Sequence, residues 1–280
     1  MATITVVILT YNEEKNIEEC ICSFKSIADK IVILDGFSTD QTIYIAKKNG
    51  AEIIQKNCGY FERFSYGLKT LNFQTDWILF LDADERLTPA SCEELKSLCN
   101  RYADTSTNGI VVNYRVEFMG RELHYGASVL HKLRVFKPET AFMEDIKLDQ
   151  HIRLKEGGMI QMKTYFIHKD FKGLKAWSEK HVTYAQWAAE DYLSKKYFKE
   201  NIELSGLENG AKIKRILKYK IYYRLPAGIR AWLFYVYRYY LRLGFLDGKE
   251  GKLFTYFHAY WYRFLVDAMI YERIKDGLVK

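Results

Sequence analysis

Short apolar runs recur through the first third of the chain, and each one ends in polar residues. The run at residues 4–9 is rich in β-branched side chains, and the runs at 31–34 and 77–81 are equally continuous. Runs of this length are typical of strands buried on both faces of a parallel sheet. A shorter run at 51–55 predicts a further strand, and the stretches between the runs have helical periodicity. The pattern predicts an α/β fold whose strands are joined by right-handed helical crossovers.

Capping residues predict where the connecting helices begin. Asn12 followed by acidic residues predicts the start of a first helix, which carries apolar residues on one face as far as Phe24. Thr39 or Asp40 is expected to cap a second helix that ends near Gly50. A third helix is predicted at 62–71. Each strand then ends in a polar loop at the carboxyl edge of the sheet, which is where ligands bind in open α/β sheets.

The strand at 77–81 runs directly into the acidic segment Asp82-Ala83-Asp84-Glu85. Residues two apart in an extended chain point to the same side, so the carboxylates of Asp82 and Asp84 are predicted to lie together. Their repulsion favours a hard divalent cation, which also binds phosphate. The alternative is a solvated acidic turn, and for an isolated Asp-x-Asp it is the favoured interpretation.

Three segments together resemble the signature of family 2 glycosyltransferases with the GT-A fold. These are Thr10-Tyr11-Asn12-Glu13-Glu14, Asp35-Gly36-x-Ser38-x-Asp40 and Asp82-Ala83-Asp84. The rest of the chain resembles bacterial members that build exopolysaccharide or lipopolysaccharide core, the β-1,4-glucosyltransferase group included. The segments that carry this second likeness are His168-Lys169-Asp170, 177–185, Leu225-Pro226-Ala227, 244–248 and 260–264.

This resemblance implies an inverting, metal-dependent transfer of a hexose from a nucleotide sugar, with a UDP sugar expected. It implies Mg²⁺ or Mn²⁺ on the diphosphate, held by Asp84 with Asp82 beside it. Departing UDP gains charge on its β-phosphate, and a metal stabilises that charge most in the transition state. The nucleotide is expected to contact the residues at the ends of the first strands and one basic residue, namely Thr10, Tyr11, Asn12, Glu13, Asp35, Asp82 and Arg63.

Inverting transfer also needs a carboxylate to take the proton of the acceptor hydroxyl. Glu144 and Asp145 lie where the resembled enzymes carry an acidic base motif, and Asp149 belongs to Asp149-Gln150-His151, a segment similar to one in related bacterial enzymes. We rank Asp145 ahead of Asp149. Many relatives have His-Glu where this chain has His151-Ile152, so the three candidates stay open. A solvated acidic loop is the alternative for each of them.

Several other polar residues have a structural and a functional interpretation. Lys132 and Arg134, on a strand predicted at 129–136, are interpreted as solvent-facing, with contact to acceptor phosphates as the alternative. The His-Asp spacing could suggest metal binding by His168 and His181, but both are interpreted as structural or acceptor-site histidines, because Asp82 and Asp84 form the better metal site. Gly157-Gly158 predicts a hairpin turn.

The last 80 residues have a different composition. Between residues 211 and 246 there is no Asp or Glu but nine Lys or Arg, and seventeen aromatic residues fall between Tyr219 and Phe264. This pattern fits a helix lying on an anionic membrane, a stacking platform for nucleic acid, or a helical subdomain that packs its aromatics inward. With a sugar transferase in front, membrane contact to reach a lipid-linked acceptor outweighs nucleic acid, and inward packing remains a competitor.

Composition sets the remaining limits. The chain has 280 residues, a net charge of +7, three prolines and an odd number of cysteines, five, without a zinc-type CxxC pair. The small number of prolines argues against disorder. The cysteines favour reduced thiols in a cytoplasmic chain, which is either free or peripheral on the inner face of the membrane. No signal peptide or spanning helix is predicted.

Two unequal parts are predicted. Residues 1–200 form a GT-A domain, with a nucleotide-sugar half at about 1–100 and an acceptor half at about 101–200, and residues 201–280 form a helical extension. A non-catalytic nucleotide-sugar or glycan-binding protein with a degenerate transferase domain is the rival function. Nucleotidyl transfer is disfavoured because the loop after the first strand lacks glycine and basic residues.

Overall fold

A computed structural model describes residues 1–127, 129–144, 151–170, 172–197 and 209–277. The strands are β1 (Ile4–Thr10), β2 (Lys30–Asp35), β3 (Glu52–Gln55), β4 (Trp77–Asp82), β5 (Glu85–Arg86), β6 (Thr107–Phe118), β7 (Arg121–Glu122), β8 (Leu130–Phe136), β9 (Ala141–Met143), β10 (Ile152–Leu154) and β11 (Gly158–His168). The α-helices are α1 (Ile17–Phe24), α2 (Thr42–Lys48), α3 (Tyr60–Thr70), α4 (Pro89–Tyr102), α5 (Leu174–Tyr197), α6 (Asn209–Lys220), α7 (Ile229–Val236), α8 (Gly248–Phe254) and α9 (Tyr262–Lys275).

The predicted α/β fold is confirmed: the main sheet has the order β3-β2-β1-β4-β8-β6-β11-β5. β1 pairs in parallel with both β2 and β4, and β3 continues the parallel part beyond β2. All seven residues of β1 are buried, as the continuous apolar run predicted. The register places Thr10 beside Asp35 and Leu9 beside Asp82. The polar ends of these three strands therefore meet at one edge.

The two faces of β1 belong to different parts of the core. Ile4, Val6 and Ile8 pack in one cluster with the buried face of α1 and with α4. Val7 and Leu9 point the other way, into a cluster with Phe64 of α3 and with residues of β8 and β10. This alternation is the two-residue period of a strand. It fixes helices on both sides of the sheet and leaves only its edges open for binding.

The helix starts differ in part from the predictions. α1 begins at Ile17 rather than near Asn12, and Asn16 is its N-cap residue without a side-chain capping bond. Asn12 instead has a φ of 53°, and its side chain bonds to the loop after β2. The N-cap residue of α2 is Gln41, without a side-chain capping bond, rather than Thr39 or Asp40. Asp40, one residue earlier, still accepts the amide N–H of Thr42 at 3.0 Å and so satisfies an N-terminal amide.

The acceptor half extends the sheet with mixed pairing. β8 is antiparallel to β4 and to β6, and β11 is parallel to β6 and antiparallel to β5. The hairpin predicted at Gly157-Gly158 is wrong, because β10 pairs with β9 while β11 pairs with β6. Long-range parallel pairing therefore carries the end of β11 to the edge beside β5.

Helices of the C-terminal extension, residues 209–277, pack on the sheet domain. Ala185 and Ala189 of α5 form a core with Val266 and Ile270 of α9. At the other end, the buried carboxylate of Asp247 accepts three backbone N–H groups, at residues 124, 125 and 126, over 2.8–3.3 Å. Inward packing thus accounts for part of the extension. The boundary predicted near residue 200 lies outside the described residues.

Two expectations from composition can be compared with this structure. Within the described ranges, we find no helix with the length and apolar character needed to cross a bilayer. All five cysteines carry free thiols, three of them buried.

Replacing Asp247 with alanine should weaken the contact between the extension and the sheet domain. Three backbone N–H groups, of which that of Gly126 is buried, would lose their acceptor, which we expect to lower the free energy of unfolding by about 2–4 kcal/mol. Urea denaturation measures the loss, and hydrogen exchange at amides 124–126 should accelerate with it. Asp276→Ala, at an exposed position, is the matched control. Equal stabilities for the two variants would contradict the role given to Asp247.

Candidate functional site

The ends of β1 and β2 are joined through Asp35. Its carboxylate accepts hydrogen bonds from the Thr10 hydroxyl at 2.8 Å, from the amide and hydroxyl of Ser38 at 2.8 and 2.5 Å, and from Gln55 Nε2 at 3.2 Å. Burial alone would raise the pKa of Asp35, but these hydrogen bonds outweigh it and lower the pKa. Asp35 is 0% exposed. Asp35 shapes the binding loop from its buried side. Neither of its carboxylate oxygens is exposed for the predicted contact with a nucleotide base.

The loops after β1 and β2 are bonded to each other. Asn12 accepts the amide N–H of Thr39 through Oδ1 and donates its own amide to the Ser38 hydroxyl, both at 2.9 Å. The amide of Glu13 donates to Thr42 Oγ1 at 2.7 Å. These bonds explain the left-handed backbone of Asn12, which asparagine tolerates better than most residues. Asn12 and Glu13 therefore set the shape of the loop.

Two aromatic side chains stand out from this bonded loop pair. Tyr11 is 56% exposed and Phe37 is 50% exposed. Tyr11 is a predicted nucleotide contact, whereas no sequence motif selected Phe37. Its φ of 63° reflects the tight turn held by Asp35 and Ser38. The two rings are large exposed aromatic surfaces on these loops.

Arg63 supports the same loop from α3. Its Nη1 donates to the carbonyl of Thr10 at 2.7 Å, and the residue is only 6% exposed. The guanidinium lies where a side chain at residue 36 would be, because a Cβ added to Gly36 would come within 1.7 Å of Nη1. Arg63 thus fixes the backbone of Thr10, and its predicted contact with a nucleotide stays a prediction.

The acidic segment after β4 is split between two sets of partners. The chain turns at Ala83 and Asp84, so the strand alternation assumed from the sequence does not continue through them. Asp82 Oδ2 pairs with Arg134 Nη2 at 2.7 Å. The same guanidinium reaches the buried Glu85 at 3.1 Å. Arg134 is 6% exposed, so its interpretation as a solvent-facing residue is wrong, and its contact with an acceptor phosphate stays a prediction.

Asp84 instead faces His168 and Asp170. One ligand atom from each of the three residues lies within 4.8 Å of those of the other two. Asp84 Oδ1 is 3.6 Å from His168 Nε2, and it accepts no hydrogen bond from any described residue. A buried carboxylate oxygen without a donor suits a cation. This group could hold a divalent metal, and it contains Asp84 but not Asp82.

Sheet pairing creates the group. β11 pairs with β5 so that His168 lies opposite Glu85, and the amide of Lys169 donates to the Asp84 carbonyl at 2.8 Å. Sequence reasoning ranked metal binding by His168 below a structural or acceptor-site role, because Asp82 and Asp84 formed the better metal site. The signal available was the resemblance of His168-Lys169-Asp170 to the related enzymes. His181, by contrast, is buried and stacks on Trp177, which fits a structural histidine.

Charges around the group favour an ionised carboxylate. Burial would raise the pKa of Asp84, but His168, Lys180 and Lys132 outweigh it and lower the pKa. Burial would lower the pKa of His168, yet Asp84 raises it overall. Metal ions bind neutral imidazole, so metal binding here would compete with protonation of His168. Asp170 is held by Lys180 Nζ at 2.8 Å.

Of the three candidate bases, the structure describes Glu144. Its carboxylate pairs with the buried Arg153 and with Arg215 of α6, the latter at 3.0 and 3.1 Å, and accepts the His151 amide at 2.9 Å. Burial would raise the pKa of Glu144, but Arg215 and Arg153 lower it, which makes it a weaker base. Glu144 joins the β9–β10 pair to the extension. Asp145 and Asp149 lie outside the described residues, and the choice of base stays a prediction.

Comparisons with known proteins agree with this geometry. A family model described as Glycosyl transferase family 2 matches residues 5–163. An uncharacterised glycosyltransferase of Rickettsia typhi is 38% identical over 97 residues, which are 34% of this chain and 32% of that protein. The glycosyltransferase SunS from the SPbeta prophage of Bacillus subtilis is 32% identical over 120 residues, 42% of this chain and 28% of that protein. The matched segments thus cover about a third of these relatives.

One solved structure resembles nearly the whole chain. The mannosyltransferase PcManGT from Pyrobaculum calidifontis, solved with GDP-Man and Mn²⁺, superposes with a TM-score of 0.58 at 15% identity. The match covers 99% of this chain and 87% of that one. At this identity the likeness shows the fold alone.

His168→Ala should lower Mn²⁺ affinity by about tenfold or more, because the metal would lose a ligand. Asp82→Asn should change the affinity much less, since Asp82 is engaged by Arg134. Calorimetric titration with Mn²⁺ measures both, and His124→Ala, an exposed histidine, is the control. A larger loss in Asp82→Asn than in His168→Ala would return Asp82 to the ligand set.

Gly36→Ala should destabilise the protein by about 1–3 kcal/mol, because the new methyl group displaces the Arg63 guanidinium. Gly158→Ala is the matched control, since the nearest atom to its added Cβ is 3.9 Å away. Urea unfolding compares the two variants. If both were neutral, Arg63 would have room to move, and its support of Thr10 would be dispensable.

Proposed function

Because the chain belongs to glycosyl transferase family 2, we propose that it transfers a hexose from a nucleotide sugar to a hydroxyl acceptor with the help of Mg²⁺ or Mn²⁺. The observation that carries this proposal is the Asp84, His168 and Asp170 group at the carboxyl edge of the sheet. The group lies at the end of β4, which flanks β1. The loops after β1 and β2, which we propose bind the nucleotide, lie at the same edge. A diphosphate on the metal would have its base directed toward those loops.

On the donor side, the nucleotide base would bind between or against Tyr11 and Phe37, whose rings are large exposed aromatic surfaces of the loops. Asp35, Asn12 and Arg63 would hold those loops in shape before the donor arrives. Such preorganisation lowers the cost of binding. A metal held by Asp84, His168 and Asp170 would offset the charge that develops on the leaving diphosphate. Lys180 keeps Asp170 in place and adds positive charge nearby.

On the acceptor side, the proposed reaction is a single displacement that inverts the anomeric carbon. The acceptor oxygen forms the new bond to that carbon while the bond to the diphosphate breaks, and a carboxylate takes the hydroxyl proton. Asp145 is our first choice as this base and Asp149 the second. Glu144 is the third, because its two arginine partners lower its basicity.

UDP is the proposed nucleotide, and a lipid-linked glycan, lipopolysaccharide or exopolysaccharide is the proposed acceptor. Both proposals are supported by the sequence resemblance to bacterial envelope enzymes. The proposed location is the inner face of the cytoplasmic membrane, with the C-terminal extension in contact with it. GDP bound to PcManGT makes a guanine nucleotide the natural comparison for any binding test.

Calorimetric titration with UDP and with GDP, each with and without Mn²⁺, tests the proposal. We expect roughly micromolar binding of UDP, about −8 kcal/mol, that requires the metal and is lost in Asp84→Ala. Asp104→Ala, an exposed acid, should bind like the wild type. Slow metal-dependent release of UDP from a UDP-hexose, also lost in Asp84→Ala, would separate an enzyme from a non-catalytic binding protein. Failure of both nucleotides to bind under every condition would contradict the donor site.

A further inference from the structure

In one helix of the extension, the usual placement of polar and apolar side chains is reversed. The α7 helix continues without a break into a π-helical turn, Tyr237–Leu241, and the two together are called here the inverted helix. Its arginines face inward and its large apolar residues face outward. Arginine is among the residues least often buried in proteins, so this arrangement calls for an explanation.

The two buried arginines have defined partners. Arg230 is 4% exposed and pairs with Asp267 of α9, with Nε and Nη2 at 2.8 and 2.5 Å from Oδ1. Asp267 also accepts the amide of Gly228 at 2.7 Å. Arg238 is 4% exposed and donates to the carbonyl of Gly126 in the sheet domain. These bonds fix the rotation of the inverted helix about its axis.

That rotation exposes a continuous apolar stripe. Residues three and four apart share a helix face, and the outward face follows this spacing. The stripe consists of Ile229 (54% exposed), Trp232 (54%), Leu233 (41%), Tyr237 (43%), Tyr240 (57%) and Leu241 (73%). Apolar patches of this kind on a soluble protein usually mark a surface that contacts something else.

Charge selects the partner. No Asp or Glu occurs between residues 211 and 246. Exposed Arg224 lies before the stripe, and Lys220 lies about one turn before Arg224. Exposed Arg242 lies directly after the stripe. Two copies of such a surface would bring like charges together. An anionic bilayer matches both the apolar face and its basic flanks, because aromatic and cationic residues sit favourably at the headgroup boundary.

We propose that the apolar stripe of the inverted helix lies flat in the headgroup region of an anionic lipid bilayer. The helix has pieces of eight and five residues, which reach about 20 Å and fall short of a hydrocarbon core of roughly 30 Å. It therefore inserts along the surface. The inference rests on the proposed function and deepens it, because membrane binding would bring the chain to a lipid-linked acceptor. Membrane binding itself requires neither donor nor catalysis.

Co-sedimentation with vesicles tests the proposal. We expect the full chain to bind vesicles of phosphatidylcholine mixed with phosphatidylglycerol, and to bind pure phosphatidylcholine and high-salt mixtures weakly. Trp232→Ser combined with Leu233→Ser should lower the partition coefficient by about tenfold or more. Arg224→Gln with Arg242→Gln should reduce the preference for anionic lipid. Tyr44→Ser, which removes a 66% exposed aromatic from α2, is the matched control and should bind like the wild type.

Fluorescence locates the contact. Brominated lipid should quench tryptophan emission in the wild type, and Trp232→Phe should abolish most of that quenching. Asp84→Ala should bind vesicles normally, so a failed donor site and a failed membrane surface give different results. Absence of vesicle binding would overturn the proposal. If sedimentation equilibrium then showed a dimer that Trp232→Ser with Leu233→Ser dissociates, the stripe would be covered by a second copy instead.

Discussion

The parallel pairing of β1 with both β2 and β4 decides where the chemistry of this molecule lies. Parallel strands end at the same edge, so the loops after β1, β2 and β4 have to meet. The register then fixes which residues meet: Thr10 beside Asp35, and Leu9 beside Asp82. The bond between Thr10 and Asp35 could not form if β1 and β2 slipped by one residue, since a slip reverses every side chain.

Much of the site consists of side chains that position other residues through hydrogen bonds and ion pairs. Arg134 bridges Asp82 and the buried Glu85, and Arg63 anchors the Thr10 carbonyl. Buried carboxylates are costly unless they are paired, so Arg134 allows the buried Glu85 and the adjacent Asp82 to lie together in the folded chain. Asp84 is the exception, because its Oδ1 accepts no hydrogen bond from the described residues. That difference separates the candidate metal site from its scaffold.

The basic extension serves the fold as well as the surface. Arg215 holds Glu144, Arg230 holds Asp267, and Arg238 reaches the Gly126 carbonyl. Three residues that appear in the sequence as part of a basic patch are therefore internal anchors. The charge left for a partner comes from Lys220, Arg224 and Arg242, which are exposed. By turning its arginines inward, the chain presents its apolar residues outward.

The sequence by itself determined the local features. Continuous apolar runs set β1, β2 and β4 nearly to the residue, and the polar segments after them were correctly assigned to one edge of the sheet. These features depend on neighbours along the chain, where side-chain period and apolar run length act directly. The family resemblance rested on the same contiguous segments.

Only the tertiary structure decided which distant groups meet. It places His168 and Asp170 beside Asp84 and pairs Asp82 with Arg134. It also places Asn12 in the loop, where it bonds to the loop after β2 instead of capping a helix. It also turned Arg230 and Arg238 toward the core. Each outcome depends on pairing or packing between segments far apart in the chain, such as β11 with β5 or α7 with α9. Side-chain type and local spacing carry no information about such contacts, because their energy arises only when the two segments are already together.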